Sequence, residues 1–201
     1  MGSLLRSVSA AGCVIALVGA SGCGGTKETR LYVLNPLPAT ERPRDASPRG
    51  NPAIGLFPVS LPEQLDRPQI VTRVGDNMLQ LAEFDQWAAP LQENFTRVLA
   101  GNLAVLVPTE RVSVFPWGKA GSPDYEVAVE VARFEGSLGG DCSLVAHWTV
   151  LRRGEKTAPV SGTSSHREPA GDSFATLVAA HSRLVAALSR DIATALKAAP
   201  Q

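Results

Sequence analysis

Three histidines, three cysteines and a few closely spaced carboxylates are the residues of this 201-residue sequence with the means to do chemistry. His147, His166 and His181 have the side chain that serves a nucleophile or binds a metal. Two of them fall on strand-like segments and the third on the apolar stripe of a helix, without ligand or triad spacing, so they read as satisfied structural histidines. Glu83 and Asp85 flank Phe84 ahead of Trp87. A glycoside hydrolase would hold such a pair across a cleft, whereas two carboxylates this close in a loop read as solvated. Asp66, Arg67 and Arg73 sit in residues 61–73 (LPEQLDRPQIVTR), which mix charge with proline as a recognition loop would; a local Asp–Arg pair ordering the loop accounts for them equally well. The sequence has no GxSxG, HExxH, paired CxxC, P-loop or GxGxxG motif, so no enzyme, metal site or cofactor is expected.

The cysteines divide by position. Residues 8–20 are apolar and rich in small side chains, follow a single positive charge at Arg6, and end at Ala20-Ser21-Gly22-Cys23, which is the anatomy of a secretory signal. The stretch is short for a membrane span, which takes roughly 20 apolar residues, and no second apolar run follows. Small residues directly before a cysteine resemble the bacterial lipobox, in which the thiol receives diacylglycerol and the chain is cut just ahead of it. Ala20 stands where that motif usually has Leu. The competing Ala10-Ala11-Gly12-Cys13 leaves too few residues after Arg6 for an apolar core of about 7 to 15 residues. Residues 1–22 are therefore expected to be a signal peptide, Cys23 the lipidation site, residues 23–29 a lipidated tether and residues 30–201 a single domain. Buried methylenes contribute about 0.8 kcal/mol each, so two or three acyl chains anchor essentially permanently. Gly24 follows the cysteine where lipoproteins kept at the inner membrane usually carry Asp, which favours the outer membrane. Only Cys142 is left for the folded part, where a half-buried structural thiol is expected.

The chain is 44% hydrophobic and 19% charged with zero formal net charge, a globular composition without an electrostatic bias toward nucleic acid. Arg30 to Leu34 reads as a first strand, and residues 35–52, with five prolines, as a solvated loop. The six residues between Cys23 and Arg30 reach about 20 Å, so a docked first strand would keep the domain beside the membrane. Residues 53–59 are strand-like, and residues 70–74 and 78–82 flank Gly75-Asp76-Asn77 as a hairpin. Leu91, Phe95, Val98, Leu99, Leu103 and Leu106 follow a helical repeat between Pro90 and Pro108. A short strand at 111–115 precedes strict alternation from Tyr125 to Ala132, with a bulge or strand end at Arg133-Phe134. Leu144 to Val150 continue as a strand, residues 152–155 turn, and residues 160–168 form a polar edge strand. The last element, 173–198, carries a stripe from Phe174 to Leu196 at spacings of three and four, capped by Asp172 or Ser173. The fold expected is an α/β sandwich, α+β in organisation: a mixed, mainly antiparallel sheet with two long helices packed on one side.

Three runs taken in order, Leu65-Asp66-Arg67-Pro68-Gln69-Ile70-Val71-Thr72-Arg73, Leu81-Ala82-Glu83-Phe84-Asp85-Gln86-Trp87-Ala88-Ala89-Pro90-Leu91 and Phe115-Pro116-Trp117, resemble the PqiC-type family of ABC-transport auxiliary lipoproteins. Ser189-Arg190-Asp191-Ile192-Ala193 and the Leu31-Tyr32-Val33-Leu34 start are similar too, so the resemblance spans nearly the whole mature chain. It implies a periplasmic domain tethered to the outer membrane that works with an MCE-domain protein, and in many systems an ABC permease and ATPase, in phospholipid movement between membranes. Homo-oligomerisation stays open. Asp66, Arg67, Gln69, Arg73, Glu83 and Trp87 are the expected partner contacts, and no catalytic set comes with the family. A lipid-binding carrier or envelope-assembly lipoprotein with an apolar cavity is the alternative, and a periplasmic hydrolase the less favoured one.

Overall fold

The computed structural model describes residues 27–43, 51–118, 121–154 and 159–198. The signal, Cys23 and Glu155 of the expected turn lie outside those residues. The strictly alternating segment forms β6 (Tyr125–Gly136), which pairs antiparallel along its length with β7 (Asp141–Arg152); β7 in turn pairs with β8 (Val160–Pro169). The slip expected at Arg133 is a bulge between Val131 and Arg133. One extra residue lets Phe134 return to the buried face, so the strand continues instead of ending.

The other edge of β6 is shared. At its start it accepts β2 (Ile54–Leu56) in parallel, with Ile54 opposite Tyr125, and at its end β3 (Gln69–Arg73), with Thr72 opposite Gly136. Outside β2 lies β5 (Val112–Val114), parallel. Outside β3 lies β4 (Leu79–Trp87), antiparallel across the Gly75-Asp76-Asn77 turn, and the last strand on that side is β1 (Arg30–Tyr32), parallel to β4. The long ladders of this eight-stranded sheet are antiparallel and the short ones parallel, which is the mixed, mainly antiparallel sheet expected. The strand within residues 53–59 is shorter than its apolar run because Pro58 has no N–H to give a ladder.

Both helices cover one face. The first, α1 (Leu91–Leu106), starts directly after Pro90, whose missing N–H costs nothing at a helix start. The second, α2 (Phe174–Ala198), is capped by Ser173, whose Oγ accepts the Thr176 N–H at 3.2 Å. α2 packs on β6, β7 and β8, and α1 on α2 and β5. The stripes read from spacing are the buried ones: Phe95, Leu99 and Leu103 on α1 and Leu177, Leu184, Leu188 and Ile192 on α2 are fully enclosed. Among the described residues no helix is long and apolar enough to cross a membrane.

Candidate docking surface

The carboxylate of Asp85 organises the sheet edge at which the chain enters the fold. Arg30 donates to Oδ2 from Nη2 at 2.8 Å and places Nε 2.8 Å from Oδ1, while the Tyr32 hydroxyl donates to Oδ1 at 2.8 Å. The parallel register sets Arg30 opposite Asp85 and Tyr32 opposite Trp87. Burial on its own would raise the Asp85 pKa. Hydrogen bonds from Arg30 and Tyr32, with the charges of Arg30 and Lys27, outweigh it and hold the carboxyl below its usual range.

The segment that follows is strapped onto the helices. The Leu34 N–H donates to Asn94 Oδ1 at 2.9 Å, the Leu37 N–H to Asn102 Oδ1 at 2.7 Å, and Arg190 reaches Glu41 at 2.7 Å. Glu83 and Asp85 are therefore not a loop pair, as sequence reading had them. Both belong to β4, where Glu83 is exposed and Asp85 buried. The strand read at 78–82 continues to Trp87, and that continuation was missed because β4 carries extra residues between the pairs Val71–Leu81 and Gln69–Gln86, which interrupts its alternation.

The expected partner contacts divide into two groups. Asp66 and Arg67 follow a 3-10 turn, Glu63–Leu65, pinned by the buried Leu65; their side chains are exposed and hold no hydrogen bond or ion pair among the described residues. Gln69 is half-buried opposite Gln86, and Glu83 is exposed. Arg73 and Trp87 have structural work. Arg73 does not pair with Asp66: its Nε donates to Glu135 at 2.6 Å and its Nη1 to the carbonyls of Gly75 and Asp76 at 3.2 and 2.7 Å. Trp87 is 7% exposed and packs edge-on against His181 with ring centroids 6.1 Å apart. It backs the surface from inside.

On the helix-free face, one cluster has no counterpart in the sequence reading beyond the Phe115-Pro116-Trp117 run. Phe57, Phe115 and Trp117 stack in a triangle with centroids 5.2 to 5.4 Å apart. Trp117 lies over Gly55, where a Cβ would sit 2.6 Å from its ring. Phe115 remains 46% exposed, so the cluster forms an apolar ledge. Beside it opens a groove of about 330 Å³ lined by Phe57, Ser60, Glu130, His147 and Thr149 among others. Its signals in sequence are the glycine in an apolar strand and the Phe-Pro-Trp run, neither of which says that they meet.

The remaining chemistry-bearing groups are structural. Asp191 Oδ2 accepts from Ser164 Oγ at 2.5 Å and contacts His166 Nε2 at 2.7 Å. This resembles a triad in composition only. The carboxylate is central, so the hydroxyl is turned onto the acid and away from a base that could activate it. His147 bonds Thr163 on the open face at 2.9 Å. His181 is buried yet unsatisfied, contrary to expectation. Burial lowers its pKa to about 4 while the nearby Leu177 carbonyl opposes the shift, and neither ring nitrogen meets a partner in hydrogen-bond geometry. Cys142 is wholly buried, more than the half expected, and burial pushes its thiol up to about 12. Among the described residues no three His, Cys, Asp or Glu side chains gather as metal ligands.

A family model described as "ABC-type transport auxiliary lipoprotein component" matches residues 32–193. The chain is 25% identical over 141 residues to the Intermembrane transport lipoprotein PqiC of Escherichia coli K12, across 70% of this chain and 73% of that protein; the match to PqiC of Shigella flexneri has the same values. A crystal structure of an uncharacterized protein superposes with a TM-score of 0.69 at 20% identity, covering 85% of this chain and 99% of the other. A Xanthomonas campestris protein superposes with a TM-score of 0.64 at 17% identity, covering 82% and 93%. At these identities the two structures establish the shared fold.

Proposed function

The chain belongs to the PqiC-type family of ABC-type transport auxiliary lipoprotein components, and we propose that it is an outer-membrane-anchored periplasmic lipoprotein that docks an MCE-domain partner during intermembrane phospholipid transport. Acyl chains on Cys23 are its anchor and residues 30–201 its single docking domain. The observation that carries this reading is the placement of β1. Arg30 and Tyr32 are bonded into the sheet through Asp85, so only six residues stand between Cys23 and the folded edge, a reach of about 20 Å. Such a tether does not let the domain shuttle, so a partner must come to it. With no P-loop in the sequence, energy coupling falls to other subunits of such a machine.

The partner surface we assign comprises the free charges of Asp66 and Arg67 with Gln69 and Glu83, together with the aromatic ledge of Phe57, Phe115 and Trp117. Exposed aromatic residues are the usual anchors of protein interfaces. The groove next to the ledge, about 330 Å³, is near the lower end of ligand pockets, which run roughly 300 to 1,000 Å³. Its wall carries Glu130, which suits a contact surface better than the apolar hold of a diacyl lipid carrier.

Photo-crosslinking from Arg67 in intact envelopes should capture the MCE-domain protein. Asp66→Ala with Arg67→Ala should reduce that capture with stability changed by less than about 0.5 kcal/mol, as for unpaired surface residues. Arg73→Ala should lower the melting temperature as well, because it releases Glu135 and the hairpin turn. Palmitate labelling should vanish on Cys23→Ser. A labelled, folded protein that never captures the partner defeats the docking proposal; unlabelled wild-type protein defeats the anchor.

A further inference from the structure

The two ends of the sheet are not equivalent with respect to the tether. Because β1 runs parallel to β4, the chain before Arg30 lies toward the start of β4, and the Lys27 ammonium sits over the Phe84 ring at 5.3 Å. Cys23 is four residues before Lys27, a reach of at most about 14 Å. The β3–β4 turn is at this end, and it carries apolar side chains in the open. Val74 is 49% exposed and Met78 58%, held opposite each other by the Val74 N–H to Met78 carbonyl bond at 3.0 Å. Leu81, a little further along β4, is exposed as well. The β6–β7 turn brings exposed Leu138 alongside, since Thr72 pairs with Gly136 and Ser137 Oγ donates to the Arg73 carbonyl at 2.7 Å.

The turn is also rigid. The two Arg73 bonds to the Gly75 and Asp76 carbonyls close it from within, and Glu135 holds the same guanidinium from the sheet. A stiff turn that presents two unbranched or branched apolar side chains beside a bilayer anchor has the chemistry of an interfacial contact.

We propose that the β3–β4 turn, with Leu138 beside it, rests in the headgroup layer of the membrane that holds Cys23. The proposal rests on the lipid anchor. It orients the domain: the hairpin end faces lipid, and the ledge of Phe115 at the other end of the sheet faces the periplasm. Asp76 and Asp141 lie at the same end, so the contact depends on apolar area and not on anionic lipid.

The test uses the mature lipoprotein reconstituted in phosphatidylethanolamine–phosphatidylglycerol vesicles, with an environment-sensitive dye on Met78→Cys or, at the opposite end of the sheet, on Val160→Cys. The buried Cys142 does not compete for the dye. The expected result is a blue shift at position 78, quenching there by brominated lipids, and neither effect at position 160. Val74→Asp should return the emission of the position 78 dye to its value in water, and lowering the phosphatidylglycerol fraction should change nothing. Protein that floats with the vesicles while its position 78 dye stays in water overturns the proposal. So does a blue shift without lipid quenching, which would mean that a second copy of the chain covers the turn. Protein that does not float sinks the anchor reading, and this one with it.

Discussion

His181 stands where packing calls for an aliphatic or aromatic side chain. Its ring lies 4.4 Å from Phe134 and 6.1 Å from Trp87 by centroid, and both nitrogens lack partners. Such a ring is neutral when folded and resists protonation. Its pKa is lowered from 6.5 to about 4, so below pH 6.5 the unfolded chain binds a proton that the native one refuses. The contribution to stability is complete above pH 6.5, declines as pH falls toward 4, and totals on the order of 3 kcal/mol. His181→Phe keeps the ring contacts and removes the titration. Urea unfolding at pH 7 and pH 4.5 should show a smaller acid loss in the variant than in the wild type, by about 2 kcal/mol, since the titration is not yet complete at pH 4.5. Equal losses would mean that this histidine is not the titrating group. The spacing of α2 placed His181 on the core stripe. That its ring would lie against two aromatic side chains was not legible, because Trp87 and Phe134 come from β4 and β6.

At the scale of elements, α2 is fixed by three consecutive polar residues facing three different neighbours. Ser189 accepts from Asn102 of α1 at 3.0 Å, Arg190 reaches Glu41 in the strap, and Asp191 holds Ser164 and His166 of β8. The Ser-Arg-Asp run is thus a set of joints. Its Asp191 joint continues through Ser164, which accepts the Trp148 indole N–H at 3.0 Å. Trp148 in turn lies over Gly162, where a Cβ would come 2.3 Å from the ring. Gly162→Ala should therefore displace the indole and loosen the β7–β8–α2 joint, at a cost of about 1 to 3 kcal/mol typical of overpacking. Thermal denaturation measures the loss, and Trp148→Leu in the same background should recover part of it. An unchanged melting temperature for Gly162→Ala would show that the ring has room to move.

For the whole molecule, the question is how so short a first strand stays docked at the edge of the sheet. β1 is only three residues long, and an isolated strand of that length has too few ladder bonds to stay docked. The buried Asp85 clamp and the Asn94 and Asn102 side chains supply the missing hold. Asp85→Ala removes the acceptor from both Arg30 and Tyr32. It should free the entering segment, giving faster proteolysis before residue 43 while the remaining domain keeps its cooperative melt. If cleavage is no faster, the clamp is not what holds the strand. The proposed lipid tether depends on this clamp, since a detached β1 would lengthen the span between Cys23 and the folded edge.

Periodicity in the chain was enough to place the two helices, the long antiparallel strands and the slip at Arg133, because each of these follows from side chains within a few residues of one another; that the slip is a bulge and not a strand end was decided by pairing with β7. The family was legible for a related reason: its marker runs are contiguous. What depended on folding were meetings between distant residues, which carry no local signal. Asp85 became a clamp only when β1 arrived beside β4, and Arg73 found Glu135 rather than Asp66. Phe57 joined Phe115 and Trp117 because β2 pairs with β5. The direction in which the chain enters the domain likewise follows from the parallel pairing of β1 with β4, a choice made by hydrogen bonds between strands more than fifty residues apart.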